Sequence, residues 1–236
     1  MKTKLLLLST ALILLMCSCE SKDQGKHLFI LSGQSNMARL NPEKSFIPTI
    51  KSEFGNDNII VVKDAMGSQS IRRWYKDWKV PNGTIPESRG DLYDRLMRKV
   101  NDSIKNEKIA SVTFIWMQGE RDARTKFGEV YENSLLGLHN QISEDLKRTD
   151  VNFIIGRLSD FDMLNEKWTH WTRIRDIQMK VGESNPRFSW INTDDLNDGV
   201  NNQGKAIQND LHMSVEGYKI MGKRFADKAI QLINEN

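Results

Sequence analysis

The chain has 236 residues, of which 39% are hydrophobic and 28% are charged, and its formal net charge is +3. This composition is typical of one medium-sized globular domain and excludes a disordered, collagen-like or coiled-coil protein. Lys2 and Lys4 near the N-terminus account for two units of the positive charge, so the rest of the chain is almost neutral and no nucleic-acid partner is predicted.

The first residues have the layout of a secretory signal. Two lysines precede an apolar run over residues 5–16, which is too short to span a bilayer, and Cys17, Ser18 and Cys19 follow. The segment resembles a bacterial lipoprotein signal, with residues 1–18 removed, Cys19 acylated and residues 19–26 forming a polar tether. Cleavage followed by plain secretion is the alternative. The protein is therefore expected to be exported, either lipid-anchored in the cell envelope or secreted.

Strand-like and helix-like segments alternate through the rest of the chain. Apolar or β-branched runs predict strands at residues 27–32, 58–65, 111–117, 152–158 and 188–193. Apolar side chains at helical spacing predict helices over residues 92–104, 131–146 and 171–181, and a last helix after Ser214 as its N-cap. This alternation predicts one α/β domain over residues 27–236, with helices on both faces of a parallel sheet.

Polar residues gather where the predicted strands end, which is where such sheets place their sites. They are Gly33, Gln34, Ser35, Asn36 and Met37 after the first strand, Met66, Gly67 and Ser68 after the second, Gln118, Gly119, Glu120, Arg121 and Asp122 after the third, Asp194 and Asp195 after the fifth, and Asn209, Asp210, Leu211 and His212 before the last helix. A nucleophilic hydrolase needs a hydroxyl, a base and donors for the oxyanion, and each has a candidate here.

The chain lacks the G-x-S-x-G spacing of α/β-hydrolases. Instead, GQSNM after the first strand, a glycine after the second, WMQGERD after the third and a histidine before the last helix resemble the SGNH hydrolase superfamily. The branch resembled is the sialate O-acetylesterase and carbohydrate esterase (acetylxylan esterase-like) group, over residues 27–230. The resemblance implies a flavodoxin-like three-layer α/β/α sandwich with a five-stranded parallel sheet.

The resemblance also implies roles for individual residues. Ser35 would be the nucleophile and His212 the base, and the oxyanion hole would be formed by the N–H groups of Ser35 and Gly67 and the side-chain amide of Gln118. The residues expected to support this centre are Gln34, Asn36, Glu120 and Asn209, with Glu120 as a hydrogen-bonding carboxylate rather than a catalytic one.

The group that orients His212 is left open by the sequence. In the family an acid usually lies three residues before the histidine, and that position here is Asn209. We expect Asp210 to take the role, with Asn209, Asp194 and Asp195 as alternatives.

Two features bear on substrate contacts. Arg121 stands where this branch commonly has a small residue; it is expected to pair with Asp122, and the alternative is that it favours an acidic sugar. Trp74 and Trp78 could stack on sugar rings or pack in the core. His27, His139 and His170 are expected to be structural, and no metal or cofactor is predicted.

The sequence thus predicts a serine esterase that removes O-acetyl groups from an acetylated carbohydrate through an acyl-enzyme. The alternative from a different class is a weakly active or inactive glycan-binding surface lipoprotein of the same fold, which would use the region of Trp74. A third possibility is an esterase acting on lipids or peptidoglycan. The only membrane contact expected is the N-terminal lipid.

Overall fold

Five parallel strands form the central sheet of the computed structural model, which describes residues 25–80 and 88–236. They are β1 (Lys26–Gly33), β2 (Ile59–Ala65), β3 (Ile109–Met117), β4 (Asn152–Gly156) and β5 (Phe188–Ile191), in the order β2-β1-β3-β4-β5. The chain moves from β1 to one neighbour and then to the other, so the order reverses beside β1. Ligand sites of doubly wound sheets lie at such a reversal, beyond the carboxyl ends of the strands.

Helices cover both faces of this sheet. They are α1 (Ser35–Arg39), α2 (Phe46–Phe54), α3 (Asp91–Ile104), α4 (Glu120–Arg124), α5 (Gly128–Asp145), α6 (Trp171–Gly182) and α7 (Val215–Glu235). Because side chains alternate along a strand, Leu28 and Ile30 pack with the layer of α3, α5 and α6, whereas Phe29 and Leu31 pack with α2 and α7. The predicted three-layer α/β/α sandwich is confirmed.

The sequence missed several short elements, including α1 and α4, and the bounds of β3, β4 and β5 differ by two residues from those predicted. The crossover helix α2 was not predicted, because it has nine residues and contains Pro48, which is tolerated in its first turn. A short antiparallel pair, β6 (Gly199–Val200) and β7 (Ala206–Ile207), was also missed. Lys26, assigned to the tether, is the first residue of β1. The predicted signal and Cys19 lie outside the described residues.

The tryptophans proposed as sugar-stacking surfaces are core residues. Trp74 and Trp78 are 0% and 1% exposed, and the ring of Trp74 packs edge-on against that of Trp116 at 5.2 Å. A sugar cannot reach either ring, so of the two alternatives the structure excludes stacking on substrate and supports packing in the core. Across residues 25–80 and 88–236, no helix has the length and apolar character needed to cross a bilayer.

Candidate active site

Ser35 and His212 meet at the carboxyl edge of the sheet, although 177 positions separate them in the chain. The distance between Ser35 Oγ and His212 Nε2 is 3.1 Å. Ser35 is the first residue of α1, and the turn that delivers it requires glycine at position 33. Gly33 has φ 142°, and a Cβ there would lie 2.0 Å from the carbonyl oxygen of Met117. Ser35 is therefore held at the end of β1, within hydrogen-bond distance of an imidazole.

Two backbone amides beside Ser35 are available to a substrate. A Cβ built on Gly67 would lie 3.7 Å from the Cβ of Ser35, which places the loop after β2 directly against the serine. Within the described residues, neither the amide of Ser35 nor that of Gly67 donates to a protein acceptor. Unused N–H groups beside a nucleophile are what an oxyanion hole requires.

The side chain of Gln118 points inward, in disagreement with its expected place in the oxyanion hole. Its Nε2 lies 2.6 Å from Asp122 Oδ2, 3.0 Å from the carbonyl oxygen of Gln69 and 3.2 Å from Gln34 Oε1. The residue is fully buried, and these three acceptors take up both hydrogens of its amide. Gln118 therefore ties the loop after β2 to the start of α4, and no hydrogen remains for a substrate oxygen.

Asn36 joins the segments that carry the serine and the histidine. Its Nδ2 donates to Glu120 Oε1 at 2.9 Å and to the carbonyl oxygen of Leu211 at 3.2 Å, and its Oδ1 accepts from the Tyr218 hydroxyl at 2.9 Å. Leu211 precedes His212, so one buried amide fixes α1, α4 and the histidine loop relative to each other.

Glu120 is the buried carboxyl of this group. Burial, with a smaller contribution from the charge of Asp122, raises the pKa of Glu120 to about 7, against the hydrogen bond from Asn36. Its Oε2 has no hydrogen-bond partner in the part of the chain that the structure describes. These contacts place Glu120 beside the centre, in the hydrogen-bonding position expected for it.

Asp122 anchors the loop that carries Gly67. Its Oδ1 accepts from Ser70 Oγ at 2.6 Å and its Oδ2 from the Ile71 amide at 2.9 Å, in addition to Gln118. Burial raises the pKa of Asp122 to about 6, although these hydrogen bonds lower it. Because its oxygens are occupied, the expected pairing with Arg121 does not form; Arg121 is held by its backbone N–H on Gln34 Oε1 at 3.1 Å.

His212 has one nearby carboxylate. Asp210 Oδ1 accepts from the His212 backbone N–H at 2.9 Å and lies 3.8 Å from Nδ1, which is beyond hydrogen-bond distance. Asn209 is turned away, since its Oδ1 accepts from Asn197. Burial lowers the pKa of His212, the charge of Arg39 lowers it further, and Asp210 raises it. The imidazole is therefore neutral near pH 7, as a general base must be.

The two aspartates after β5 are bound elsewhere. Asp194 accepts from Arg157 at 2.6 Å and from Arg175 at 2.7 Å, and Asp195 accepts from Arg224 at 2.6 Å. Their carboxylates are held by arginines away from the imidazole, so the alternative that Asp194 or Asp195 orients His212 is wrong.

Sequence reasoning missed the polar side chains that support this centre from the neighbouring helices. The carbonyl oxygen of Gln118 accepts from the Tyr131 hydroxyl at 2.7 Å and from Gln178 Nε2 at 2.8 Å. Asn197 bonds the carbonyl oxygen of Asp210 at 3.2 Å and so steadies the histidine loop. Gln178 could have been noticed in the sequence, because it interrupts the apolar face of α6. The structure shows that its side chain is fully buried.

The other histidines make structural contacts. His27 Nδ1 lies 2.8 Å from Ser111 Oγ, His139 Nε2 lies 3.1 Å from the Val151 carbonyl oxygen, and His170 Nδ1 accepts from the Gly128 amide at 3.0 Å. Residues 25–80 and 88–236 contain no group of three or more histidine, cysteine or acidic side chains placed to hold a metal ion.

Comparison with known proteins assigns the chain to a protein family. Residues 38–231 match the family model described as carbohydrate esterase, sialic acid-specific acetylesterase. The chain belongs to this carbohydrate esterase family. It is thus a hydrolase of carboxylic esters with an SGNH-type fold. No curated protein matches the sequence.

Solved structures of low sequence identity share the fold. A protein from Arabidopsis thaliana superposes with a TM-score of 0.66 at 18% identity, over 88% of this chain and 98% of that one. A carbohydrate acetylesterase from Xanthomonas citri gives 0.64 at 16% identity, over 89% of this chain but only 57% of that one. NanS gives 0.60 at 13% identity, over 89% and 98% of the two chains.

Proposed function

We propose that this esterase removes O-acetyl groups from carbohydrates with Ser35 as nucleophile and His212 as general base. The observation that carries the proposal is the 3.1 Å contact between Ser35 Oγ and His212 Nε2, beside the unused amides of Ser35 and Gly67. Membership of the carbohydrate esterase family supports an acetylated sugar as substrate.

The reaction proceeds in two acyl-transfer steps. Ser35 Oγ attacks the acetyl carbonyl carbon while His212 Nε2 takes its proton, and the N–H groups of Ser35 and Gly67 donate to the oxyanion. His212 then gives the proton to the departing sugar oxygen, which leaves an acetyl ester on Ser35. Water, deprotonated by the same imidazole, attacks this ester and releases acetate.

The first test is hydrolysis of p-nitrophenyl acetate and of an acetylated sugar by the parent, Ser35→Ala and His212→Asn. We expect each variant to lose at least about 10³-fold in kcat. Ser52→Ala, which removes an exposed hydroxyl on α2, is the matched control and should keep parent activity. Mass spectrometry of the quenched reaction should find an acetyl group on the peptide with Ser35. Equal activity in the parent and Ser35→Ala would refute the mechanism.

Neither alternative function gains support. The glycan-binding interpretation placed its surface at Trp74, which is buried, and the comparisons point to esterases. No contact described above favours a lipid or peptidoglycan ester. Acetate release measured on these substrates alongside acetylated sugars distinguishes the possibilities.

We also propose that the protein is exported and anchored through a lipid on Cys19. The family's carbohydrate substrates fit an extracellular or envelope location. Incorporation of labelled palmitate by the producing cells should be abolished in Cys19→Ala and retained in Cys17→Ala. Labelling that survives loss of Cys19 would contradict the anchor.

A further inference from the structure

The Nδ1 atom of His212 has no hydrogen-bond partner within the part of the chain that the structure describes. Its nearest carboxylate, that of Asp210, stays 3.8 Å away and accepts from the backbone N–H of His212 instead. In a serine hydrolase with a full triad, a third side chain fixes the imidazole through this nitrogen. The position of the His212 ring therefore depends on the backbone of the loop that carries it, residues 209–214, which we call the histidine loop.

Residues 196–198, which follow β5, run beside the histidine loop and hold it on both sides of His212. Three hydrogen bonds join the two segments, from the Asn209 N–H to Asp198 Oδ1 at 2.6 Å, from the Asp210 N–H to the Asn197 carbonyl oxygen at 3.2 Å and from the Ser214 N–H to the Leu196 carbonyl oxygen at 2.9 Å. Asn209 has a left-handed backbone with φ 45°, which asparagine tolerates better than most residues. The first two bonds lie before His212 and the third lies after it, so the histidine is fixed from both directions.

The side chain of Asn197 lies at the centre of these contacts. It is 1% exposed, and its Nδ2 donates to the carbonyl oxygen of Asp210 at 3.2 Å. Because the Asp210 N–H already donates to the Asn197 carbonyl oxygen, Asn197 binds both main-chain groups of the residue two positions before His212. The same Nδ2 lies 3.2 Å from Asp160 Oδ1 and 3.4 Å from Ser159 Oγ, both in the segment after β4. One buried amide thus joins the histidine loop to its neighbour.

The surroundings of Asn197 Nδ2 call for a donor at this position. All four of its neighbours at hydrogen-bond distance are oxygens, the fourth being Asn209 Oδ1 at 3.2 Å. A buried oxygen that loses its donor carries a desolvation cost, so the amide favours one arrangement of the loop over others. An apolar side chain at position 197 would remove the bond to the Asp210 carbonyl oxygen and allow the loop to shift.

We propose that Asn197 is a positioning residue for the esterase reaction. It holds the histidine loop so that His212 Nε2 stays 3.1 Å from Ser35 Oγ although no acid is hydrogen-bonded to Nδ1. The proposal rests on the proposed function, in which His212 is the base. A displacement of a catalytic group by about 1 Å costs on the order of 10²-fold in rate. Asn197 does not touch Ser35 or the amide of Gly67, so substrate binding should not depend on it.

The first test compares the parent with Asn197→Ala on an acetylated sugar. We expect kcat to fall by about 10²-fold with KM unchanged. On p-nitrophenyl acetate, kcat/KM should fall about tenfold less than on the sugar ester, because nitrophenolate leaves without a proton, whereas a sugar alkoxide needs one from His212. A residue that only stabilised the fold would not change the two esters differently.

Two further variants control for folding. Asn152→Ala removes an equally buried amide at the start of β4, at the opposite edge of the sheet, and should lower Tm without changing kcat. Asp198→Ala removes an exposed side chain that accepts from the Asn209 N–H, so it should fold like the parent and lower kcat by about three- to tenfold with KM unchanged. This second variant keeps the proposal testable if Asn197→Ala does not fold.

A double variant tests whether Asn197 acts through His212. Asn197→Ala added to His212→Asn should cost no further activity on p-nitrophenyl acetate, because the group that Asn197 positions is already absent. A further tenfold loss in this background would show that Asn197 acts on another part of the site, and the proposal would be wrong.

The remaining outcomes separate the two proposals. An active parent whose kcat is unchanged in both Asn197→Ala and Asp198→Ala overturns the positioning role and leaves the esterase mechanism intact. A rise in KM with constant kcat in Asn197→Ala also overturns it, since the residue would then bind substrate. A parent that is inactive on every ester refutes the proposed function itself.

Discussion

Replacing Glu120 with glutamine should change the stability of the fold in a pH-dependent way, with the difference moving in favour of the variant as the pH rises. The side chain is 1% exposed, and burial raises its pKa from the ordinary 4.5 to about 7. The folded protein therefore binds this proton more tightly than the unfolded chain does. The resulting stability is complete below about pH 4.5 and is lost as the pH rises through about 7.

The size of the effect follows from the two pKa values. Because the pKa of Glu120 rises from 4.5 to about 7 on folding, the free energy of unfolding of the parent is roughly 3 kcal/mol lower at pH 8 than in acid. Most of this loss occurs between about pH 5 and pH 8. In a domain of this size 1 kcal/mol moves Tm by roughly 2–4 °C. The difference in Tm between Glu120→Gln and the parent should thus grow by roughly 5–10 °C from pH 5 to pH 8.

The assay is thermal unfolding followed by circular dichroism across that pH range. The new amide nitrogen has no acceptor where Oε2 stood, which costs about 1–3 kcal/mol at every pH, so the growth of the difference is the quantity to test. Glu129→Gln, whose parent side chain is 64% exposed, is the matched control and should show a constant difference. A constant difference in Glu120→Gln as well would refute the argument that the buried carboxyl destabilises the fold when it ionises.

Three further predictions concern catalysis. Arg39→Gln removes a charge that lowers the pKa of His212, so the acid limb of the kcat/KM profile should move to higher pH. Adding about 1 M NaCl should abolish this shift, whereas an acid limb that does not move at low salt would contradict the prediction. Asp210→Asn should move the same limb to lower pH and reduce kcat by only about tenfold, because its exposed carboxylate lies 3.8 Å from Nδ1, whereas a loss near 10⁴-fold would indicate a hydrogen-bonded triad. Gly67→Ala should fold normally, because the new methyl group would lie at an ordinary contact distance of 3.7 Å from the Cβ of Ser35. The value of kcat/KM for acetyl esters should nevertheless fall by about 10²-fold, because the methyl group crowds the acyl group. Full activity would show that the acyl group binds elsewhere.

The sheet could be predicted because it follows from local patterns, which also place Ser35 and His212 among the polar residues at its carboxyl edge, whereas their pairing was implied by the family resemblance. Strands buried on both faces appear as continuous apolar runs, and polar residues at the ends of parallel strands lie on one edge. Helix α2 was not predicted, because it is short and contains Pro48, so its helical pattern in the sequence is weak.

The partners of polar and aromatic side chains could not be predicted in the same way. The side-chain amide of Gln118 donates to Gln34, Gln69 and Asp122, which lie in three different segments of the chain. An indole near the site looks the same in the sequence whether it lines the rim or, like Trp74, fills the core. Such outcomes depend on distances set by the tertiary structure, which residue type and spacing do not contain.

The order in which the chain supplies the two proposed catalytic residues has a consequence for biosynthesis. Ser35 stands at the end of the first strand, whereas His212 lies just before α7, the last helix, which packs against α2 near the other end of the chain. A nascent or prematurely terminated polypeptide ending before residue 212 contains the serine but no imidazole to activate it. On the proposed mechanism, esterase activity is therefore acquired only after residue 212 has been added, so products truncated before it should be inert toward acetyl esters.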